Sequence, residues 1–245
     1  MTDSATLDAR PHVAPLPVLD GAMTYPVNDL YATLQGEGCQ TGVPMVLLRL
    51  HGCPVGCPFC DTKETWTVDP TLRVETFAAA AGANGHYVEA TPQQIATEVR
   101  KVGGHGIKWV MLTGGEPALH ALYPLVAALH EADYKVAIET SGTALGHVTA
   151  HCDWVCVSPK MHMPGGRPVL PRALEIADEI KQVVGNEKDI YRLEGLLSTC
   201  ILKTDVTICL QPMSQSPKAT DICMKTCQAR GWRLSLQMHK YIDVR

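Results

Sequence analysis

Between residues 45 and 237 the chain alternates short, continuous apolar runs with longer stretches whose apolar residues recur every three or four positions. Runs at 45–50, 109–112, 135–139, 154–157, 179–183, 207–210 and 233–237 predict strands. Stretches at 92–102, 119–132, 189–199 and 218–230 predict helices. A strand with apolar residues at consecutive positions is covered on its outer face, as in a parallel sheet whose connections are helices. The fold class is therefore α/β. A partial (β/α) barrel and an open doubly wound sheet both satisfy the pattern, and both bind ligands beyond the carboxyl ends of the strands. Functional motifs are accordingly expected immediately after strands. The first 22 residues contain several prolines and few large apolar residues, so a flexible tail at 1–22 is expected ahead of a single domain at 23–245.

Composition narrows the setting. A chain of 245 residues with 46% hydrophobic content can bury a sizeable core in one domain. A net charge of −4 excludes the basic surface that sequence-independent nucleic-acid binding requires. There is no apolar run of membrane-spanning length and no signal-peptide pattern. Ten cysteines in a chain that needs no disulfides to stabilise its core point to a reducing, cytoplasmic location.

Three of those cysteines carry the sharpest signal. Cys53, Cys57 and Cys60 stand in C-x3-C-x2-C spacing directly after the 45–50 run, with Pro54, Gly56 and Pro58 favouring a tight loop over a helix. Thiolates ligate iron–sulfur clusters, and three of them leave one iron of a 4Fe-4S cubane open for chemistry. The competing reading is a zinc knuckle, with His51 as a fourth ligand, but paired C-x2-C units are absent.

Other strand ends carry polar groups. Thr113-Gly114-Gly115-Glu116-Pro117 follows the 109–112 run; its glycines permit close backbone approach to a ligand, and Glu116 or the carbonyls can accept bonds from an ammonium group. Glu139 to Ser141, Ser158-Pro159-Lys160 and Gln211 to Ser214 close three more strands. Each alone reads as turn chemistry, but one shared mouth would collect them all. Arg49 interrupts an apolar strand, so its guanidinium must either reach a surface or pair with an anion, such as a substrate carboxylate or a structural Asp or Glu.

Taken together, Leu34 to Gly38, Cys53 to Thr62, Thr113 to Pro117, Glu139 to Ser141, Ser158 to Lys160, Gln211-Pro212 and His239-Lys240 resemble the radical S-adenosylmethionine (SAM) family of 7-carboxy-7-deazaguanine synthases. The resemblance runs from about Met23 to the C-terminus. It implies a shortened (β/α) barrel, a homodimer, and ring contraction of 6-carboxy-5,6,7,8-tetrahydropterin with loss of ammonia, in the biosynthesis of 7-deazapurines such as queuosine. Flavodoxin or ferredoxin would supply the electron for reductive cleavage of SAM, and SAM would be regenerated. The implied roles are as follows: Cys53, Cys57 and Cys60 hold the cluster. Phe59, Cys60, Asp61, Gly115, Glu139, Ser141, Ser158, Pro159, Lys160, Gln211, Pro212, Met213 and Ser214 line the SAM site. Leu34, Gln35, Gly36, Arg49 and Thr113 contact the pterin, and the terminal carboxylate of Arg245 bonds its ring. Thr62 serves a Mg2+ ion that also binds the substrate carboxylate. A radical SAM activase of another protein and a zinc-dependent binding module are the alternatives.

The remaining cysteines invite over-reading. Cys152/Cys156 and Cys223/Cys227 are both C-x3-C pairs, but are expected to be packing residues sharing a strand face and a helix face, the latter beside Ile222 and Met224. Cys39 and Cys200 are expected to be the same. His105, His130, His147 and His151 are expected on the surface or in loops.

Overall fold

The structure, a computed structural model, describes residues 23–82, 84–145 and 151–242. The expected tail at 1–22, His147 and Arg245 lie outside them. Nine strands form one sheet: β1 (Tyr25–Leu34), β2 (Pro44–Leu50), β3 (Val88–Ala90), β4 (Trp109–Gly114), β5 (Lys135–Thr140), β6 (Trp154–Val157), β7 (Glu179–Val184), β8 (Thr207–Pro212) and β9 (Arg233–Leu234). Their order is β3-β1-β2-β4-β5-β6-β7-β8-β9. Pairing is parallel from β2 through β4 to β9, and antiparallel only where β1 meets β2 and β3. The sheet is open, because no pairing joins its terminal strands among the described residues.

Helices α1 (Phe77–Ala80), α2 (Pro92–Gly103), α3 (Tyr123–Glu131), α4 (Pro171–Glu175), α5 (Glu187–Leu197) and α6 (Pro217–Arg230) occupy the connections. Their ends follow local chemistry. Thr91 and Gln94 form a capping box that starts α2, and Asn186 with Asp189 does the same for α5. Ser216 accepts from Ala219 N at the start of α6, and Gly231 ends it at φ 68°, a left-handed conformation suited to glycine. Pro117–Leu119 forms a separate 3-10 turn, so α3 begins at Tyr123 rather than at the expected 119.

Two faces of the sheet have different chemistry. On the outer face Leu48, Leu112, Ile138, Val157 and Leu210 are fully buried beneath the helices, with Val99, Leu125, Leu129 and Leu193 opposite them. On the inner face a small apolar floor of Met45, Met111 and Ala137, flanked by Trp109 and Trp154, gives way to polar side chains toward the strand ends. Alternation along β2 shows the change: Met45, Leu47 and Arg49 face inward at successive levels. Cys223 and Cys227 belong to the outer core, as expected, although Met224 beside them is exposed. Cys152 also packs against that outer core, but Cys156 faces the buried charges of the inner side. The expectation that these two share a face is therefore corrected: Cys152 precedes β6 and does not follow its pleat.

Loss of the α2 capping box should be measurable. Thr91→Ala is expected to cost about 1 kcal/mol, which for a chain of this size lowers Tm by about 2–4 °C in a thermal melt.

Candidate active site

A cavity of about 420 Å³ opens at the carboxyl ends of the parallel strands. Its wall begins with the cysteine loop, which is tied down at several points. Gly52 N and Cys53 N donate to Thr65 O and Trp66 O at 2.8 and 2.9 Å, and Gly165 N donates to Val55 O at 3.0 Å. Cys53, Cys57 and Cys60 all line the cavity, with Phe59, Asp61 and Thr62 beside them. Burial pushes the Cys53 thiol up, and pushes the Cys57 thiol up to about 11 despite the opposing charge of Lys160. The Cys60 sulfur accepts from Thr62 N and from the Trp66 indole N–H, each at 3.4 Å. The three sulfurs are not gathered as a group within 4.8 Å, whereas a single tetrahedral zinc would hold its thiolates about 3.8 Å apart. The loop thus suits a larger, multi-iron group better than one ion. His51 is no fourth ligand: its ring is buried against Tyr87 and faces the Thr67 and His86 carbonyls.

The segment Gly114-Gly115-Glu116 lies against the entrance of that loop. Gly115 N donates to Leu50 O and Glu116 N to Gly52 O, both at 2.7 Å. A Cβ at Gly114 would collide with Leu50 backbone and one at Gly115 with Gly52 backbone, and Gly114 has φ 115°. The glycines therefore serve first to bring two stretches of backbone together, a contact the sequence reading assigned to a ligand. Glu116 is also corrected. Its buried carboxylate accepts from Ala118 N, Thr140 Oγ1 and Ser141 N at 3.0, 2.6 and 2.7 Å, and from Ser141 Oγ. It fixes the end of β5 instead of waiting for an ammonium group.

The other strand ends converge as expected. Thr113 from β4 with Gly115 after it, Glu139 from β5 with Ser141 after it, and Ser158 and Lys160 after β6 line the cavity. Gln211, Pro212, Met213 and Ser214 complete that side, with Ser214 in the left-handed region at φ 53°. Leu34, Gln35 and Gly36 close the opposite side with Arg49. Pro159 is the exception among the expected residues described: it is absent from the cavity wall and serves the turn between Ser158 and Lys160. Lys160 curls back to donate to Ser158 O and Ser158 Oγ at 3.0 and 2.5 Å. Among the described residues no carboxylate forms an ion pair with Arg49, so its guanidinium faces the cavity as a cationic lining group.

Sequence reasoning missed Lys181. This ammonium is 2% exposed and sits 2.5 Å from Glu37 Oε2 and 2.6 Å from Glu139 Oε1. Burial alone would lower Lys181, but Glu139 and Glu37 raise it well above the usual lysine range. Burial likewise opposes the charge on Glu37, yet Lys181 holds that carboxyl down at about 2. The sequence cue was weaker than for Arg49: Lys181 stands in a strand that also holds Glu179 and Gln182, so it does not interrupt an apolar run. The triad also receives the segment 237–240. Gln237 Nε2 donates to Glu37 Oε1 at 2.8 Å, Lys240 Nζ to Gln237 Oε1 at 2.7 Å, and Met238 N to Gly36 O at 2.8 Å. β9 spans only Arg233–Leu234, shorter than the strand expected at 233–237, and Gln237 beyond it lines the cavity.

Residues 47–159 match the radical SAM superfamily. Over 224 residues, covering 91% of this chain and all of the relative, the sequence is 44% identical to 7-carboxy-7-deazaguanine synthase of Escherichia coli strain K12. It is 36% identical over 225 residues to the Buchnera aphidicola enzyme of the same name, again covering 91% of this chain and all of the relative. The fold is similar to the crystal structure of QueE from Escherichia coli, with a TM-score of 0.82 and 44% identity across 89% of this chain and 95% of that one.

Removing the buried ammonium should be severe. Lys181→Ala leaves two carboxylates buried without their cation and is expected to cost about 3–5 kcal/mol, a fall in Tm on the order of 10 °C. Glu37 sets the pH dependence. Its carboxyl titrates lower in the folded chain, so its stabilisation is present above about pH 4.5 and is lost as pH falls toward about 2. The difference in Tm between wild type and Glu37→Gln should therefore narrow across that window.

Proposed function

The chain belongs to the 7-carboxy-7-deazaguanine synthase family of radical SAM enzymes, and from that premise we propose how its residues divide the reaction among themselves. The substrate is 6-carboxy-5,6,7,8-tetrahydropterin, and the product 7-carboxy-7-deazaguanine arises by ring contraction with loss of ammonia. The observation that carries this assignment is the convergence of the three-cysteine loop, four polar strand ends and Arg49 on one cavity.

Cys53, Cys57 and Cys60 hold the 4Fe-4S cluster as thiolates, releasing their protons as it binds. When bound, the cluster and SAM supply the 5′-deoxyadenosyl radical that begins the chemistry. Ser141, fixed by Glu116, lines the SAM side with Phe59, Asp61, Gly115, Glu139, Ser158, Lys160 and the segment Gln211 to Ser214. One Glu139 oxygen is engaged by Lys181, so SAM would use the other. Opposite them, the Arg49 guanidinium offers a planar fork to the substrate carboxylate. Thr113 and Leu34 to Gly36 contact the pterin. Thr62, next to Cys60, offers a neutral oxygen to a Mg2+ ion shared with the substrate carboxylate. Closing a cavity of this size over both molecules excludes water from a reactive radical.

Flavodoxin or ferredoxin as reductant, a homodimer and a cytoplasmic location complete the reading. No described helix is long and apolar enough to cross a membrane.

The direct test is anaerobic reconstitution with dithionite, SAM, Mg2+ and the carboxytetrahydropterin, followed by mass spectrometry for 7-carboxy-7-deazaguanine. No product, with the cluster intact, would overturn the substrate assignment. Cys53→Ala, Cys57→Ala and Cys60→Ala should each lose cluster iron and SAM cleavage while remaining folded. Arg49→Ala should lower kcat/KM for the pterin at least about tenfold, the effect of losing a buried charged partner. Binding of SAM, followed by calorimetry, should change far less, and equal damage to both would favour a structural role for Arg49.

A further inference from the structure

Away from the cluster, near the amino ends of the inner strands, three metal-ligating side chains meet. Glu179 opens β7, Cys209 lies in β8 level with Lys181, and Cys39 comes from the loop between β1 and β2. Each offers one ligand atom, and those atoms all lie within 4.8 Å of one another. The sequence reading treated Cys39 as a packing residue; it stands beside Glu179 and Cys209. We propose that Cys39, Cys209 and Glu179 form a second metal site in this chain, selective for a zinc-class divalent cation and separate from the iron–sulfur loop.

Two independent observations point to a ligand. First, Glu179 is 2% exposed and its Oε1 is fully buried without a hydrogen-bond partner. Its other oxygen receives only neutral donors, Cys39 N at 3.1 Å and the Trp154 indole N–H at 3.4 Å. The nearby ammonium of Lys181 is already held by Glu37 and Glu139, and among the described residues no cation pairs with Glu179. A buried carboxylate without a cation is costly, and a bound cation removes that cost. Second, the Cys39 and Cys209 sulfurs are 3.7 Å apart. Two Zn–S bonds of about 2.3 Å at the tetrahedral angle place their sulfurs about 3.8 Å apart. The site therefore already has the edge length that zinc requires.

The donor set selects the ion. Two thiolates favour zinc-class metals over magnesium or calcium, and the carboxylate supplies a third ligand. Cys39 is partly exposed, so solvent reaches the site and can fill a fourth position with water. Binding forms two metal–sulfur bonds and one metal–oxygen bond, and releases the two thiol protons to solvent; no electron is transferred. A disulfide is the competing use of the cysteines. It would require the sulfurs to close from 3.7 Å to about 2.05 Å, and would leave the Glu179 charge uncompensated.

A metal here would do structural work for the active site. The loop that it anchors carries Gln35, Gly36 and Glu37 along the cavity wall, and Gly38 N is already bonded to Ser235 Oγ at 2.8 Å. Pinning Cys39 to β7 and β8 holds that loop from below, while Lys181 holds it through Glu37.

The test uses cluster-reconstituted, anaerobically prepared enzyme, so that the iron ligands are occupied. It is equilibrated with zinc, desalted and analysed for metals. About one zinc per chain is expected in the wild type, and none in Cys39→Ser or Cys209→Ser, with iron content unchanged. Glu179→Gln should weaken zinc at least about tenfold, no less than the loss of a supporting outer-shell group. Zinc-edge X-ray absorption of the wild type needs no variant to fold, and should show two sulfur neighbours at about 2.3 Å. Zinc retention independent of Cys39 and Cys209, or a spectrum without two sulfurs, would overturn the proposal. So would failure to bind zinc together with loss of two titratable thiols after mild peroxide, which would identify the pair as a redox couple. Metal content and absorption are read without substrate, so failure here leaves the assignment of the radical reaction untouched.

Discussion

The inner side of the sheet is organised around one buried positive charge. The Lys181 ammonium has almost no contact with water, and survives in the interior because Glu37 and Glu139 lie within 2.6 Å of it. Those carboxylates come from the β1–β2 loop and from β5, so the pairings join segments distant in sequence across the middle of the half-barrel. An open sheet has no strand pairing to close it. The triad substitutes charge for closure, and the chain's last described residues dock on it through Gln237 and Glu37. Ion pairs of this kind add little net stability over an apolar replacement, but they penalise any arrangement in which one partner is misplaced. That property suits a cavity whose walls must meet two ligands at once.

A second constraint acts on the backbone. The cysteine loop and the glycine segment after β4 are bonded through Gly52 O and Glu116 N, with Gly115 N donating to Leu50 O at the end of β2 and no room for a Cβ between them. Glu116 then reaches on to Thr140 and Ser141, so three consecutive strand ends are set by one continuous run of hydrogen bonds. Positioning of this type matters for radical chemistry, where the protein's contribution is orientation and exclusion of competing reactions.

Much of this was legible in the sequence. Strands β2, β4, β5, β6 and β8 could be read because their apolar runs reflect burial on the outer face as well as the inner, whereas β7 keeps only Ile180, Val183 and Val184 apolar. β1 was not, since Asn28 and Asp29 break its pattern and the register shifts there between Val27 and Asp29. β3 spans three residues, too short for any periodicity. Arg49 and the three cysteines were found at the cavity wall because each is a charged or cysteine-rich interruption within or after an apolar run, whereas Leu34 to Gly36, Thr113 and Thr62 were placed there only by the family resemblance. Lys181 was passed over, because its strand also holds Glu179 and Gln182 and its partners Glu37 and Glu139 are separated from it by 144 and 42 residues, so that only the fold brings them near. The roles of Glu116 and of the glycine pair could not be read for a related reason: both depend on which backbone segment lies opposite.

The contact between residues 52 and 115 also bears on how such chains can diversify. Because Gly115 fits against Gly52 without space for a methyl group, the two motifs share one surface and neither can change shape alone. An insertion that lengthens the cysteine loop must shift the glycine segment with it, although 62 residues of chain lie between them. A chimera joined anywhere between them would combine two halves that had never been fitted to each other. The cysteine loop and the glycine segment are thus better regarded as one heritable unit, split in sequence and continuous in space.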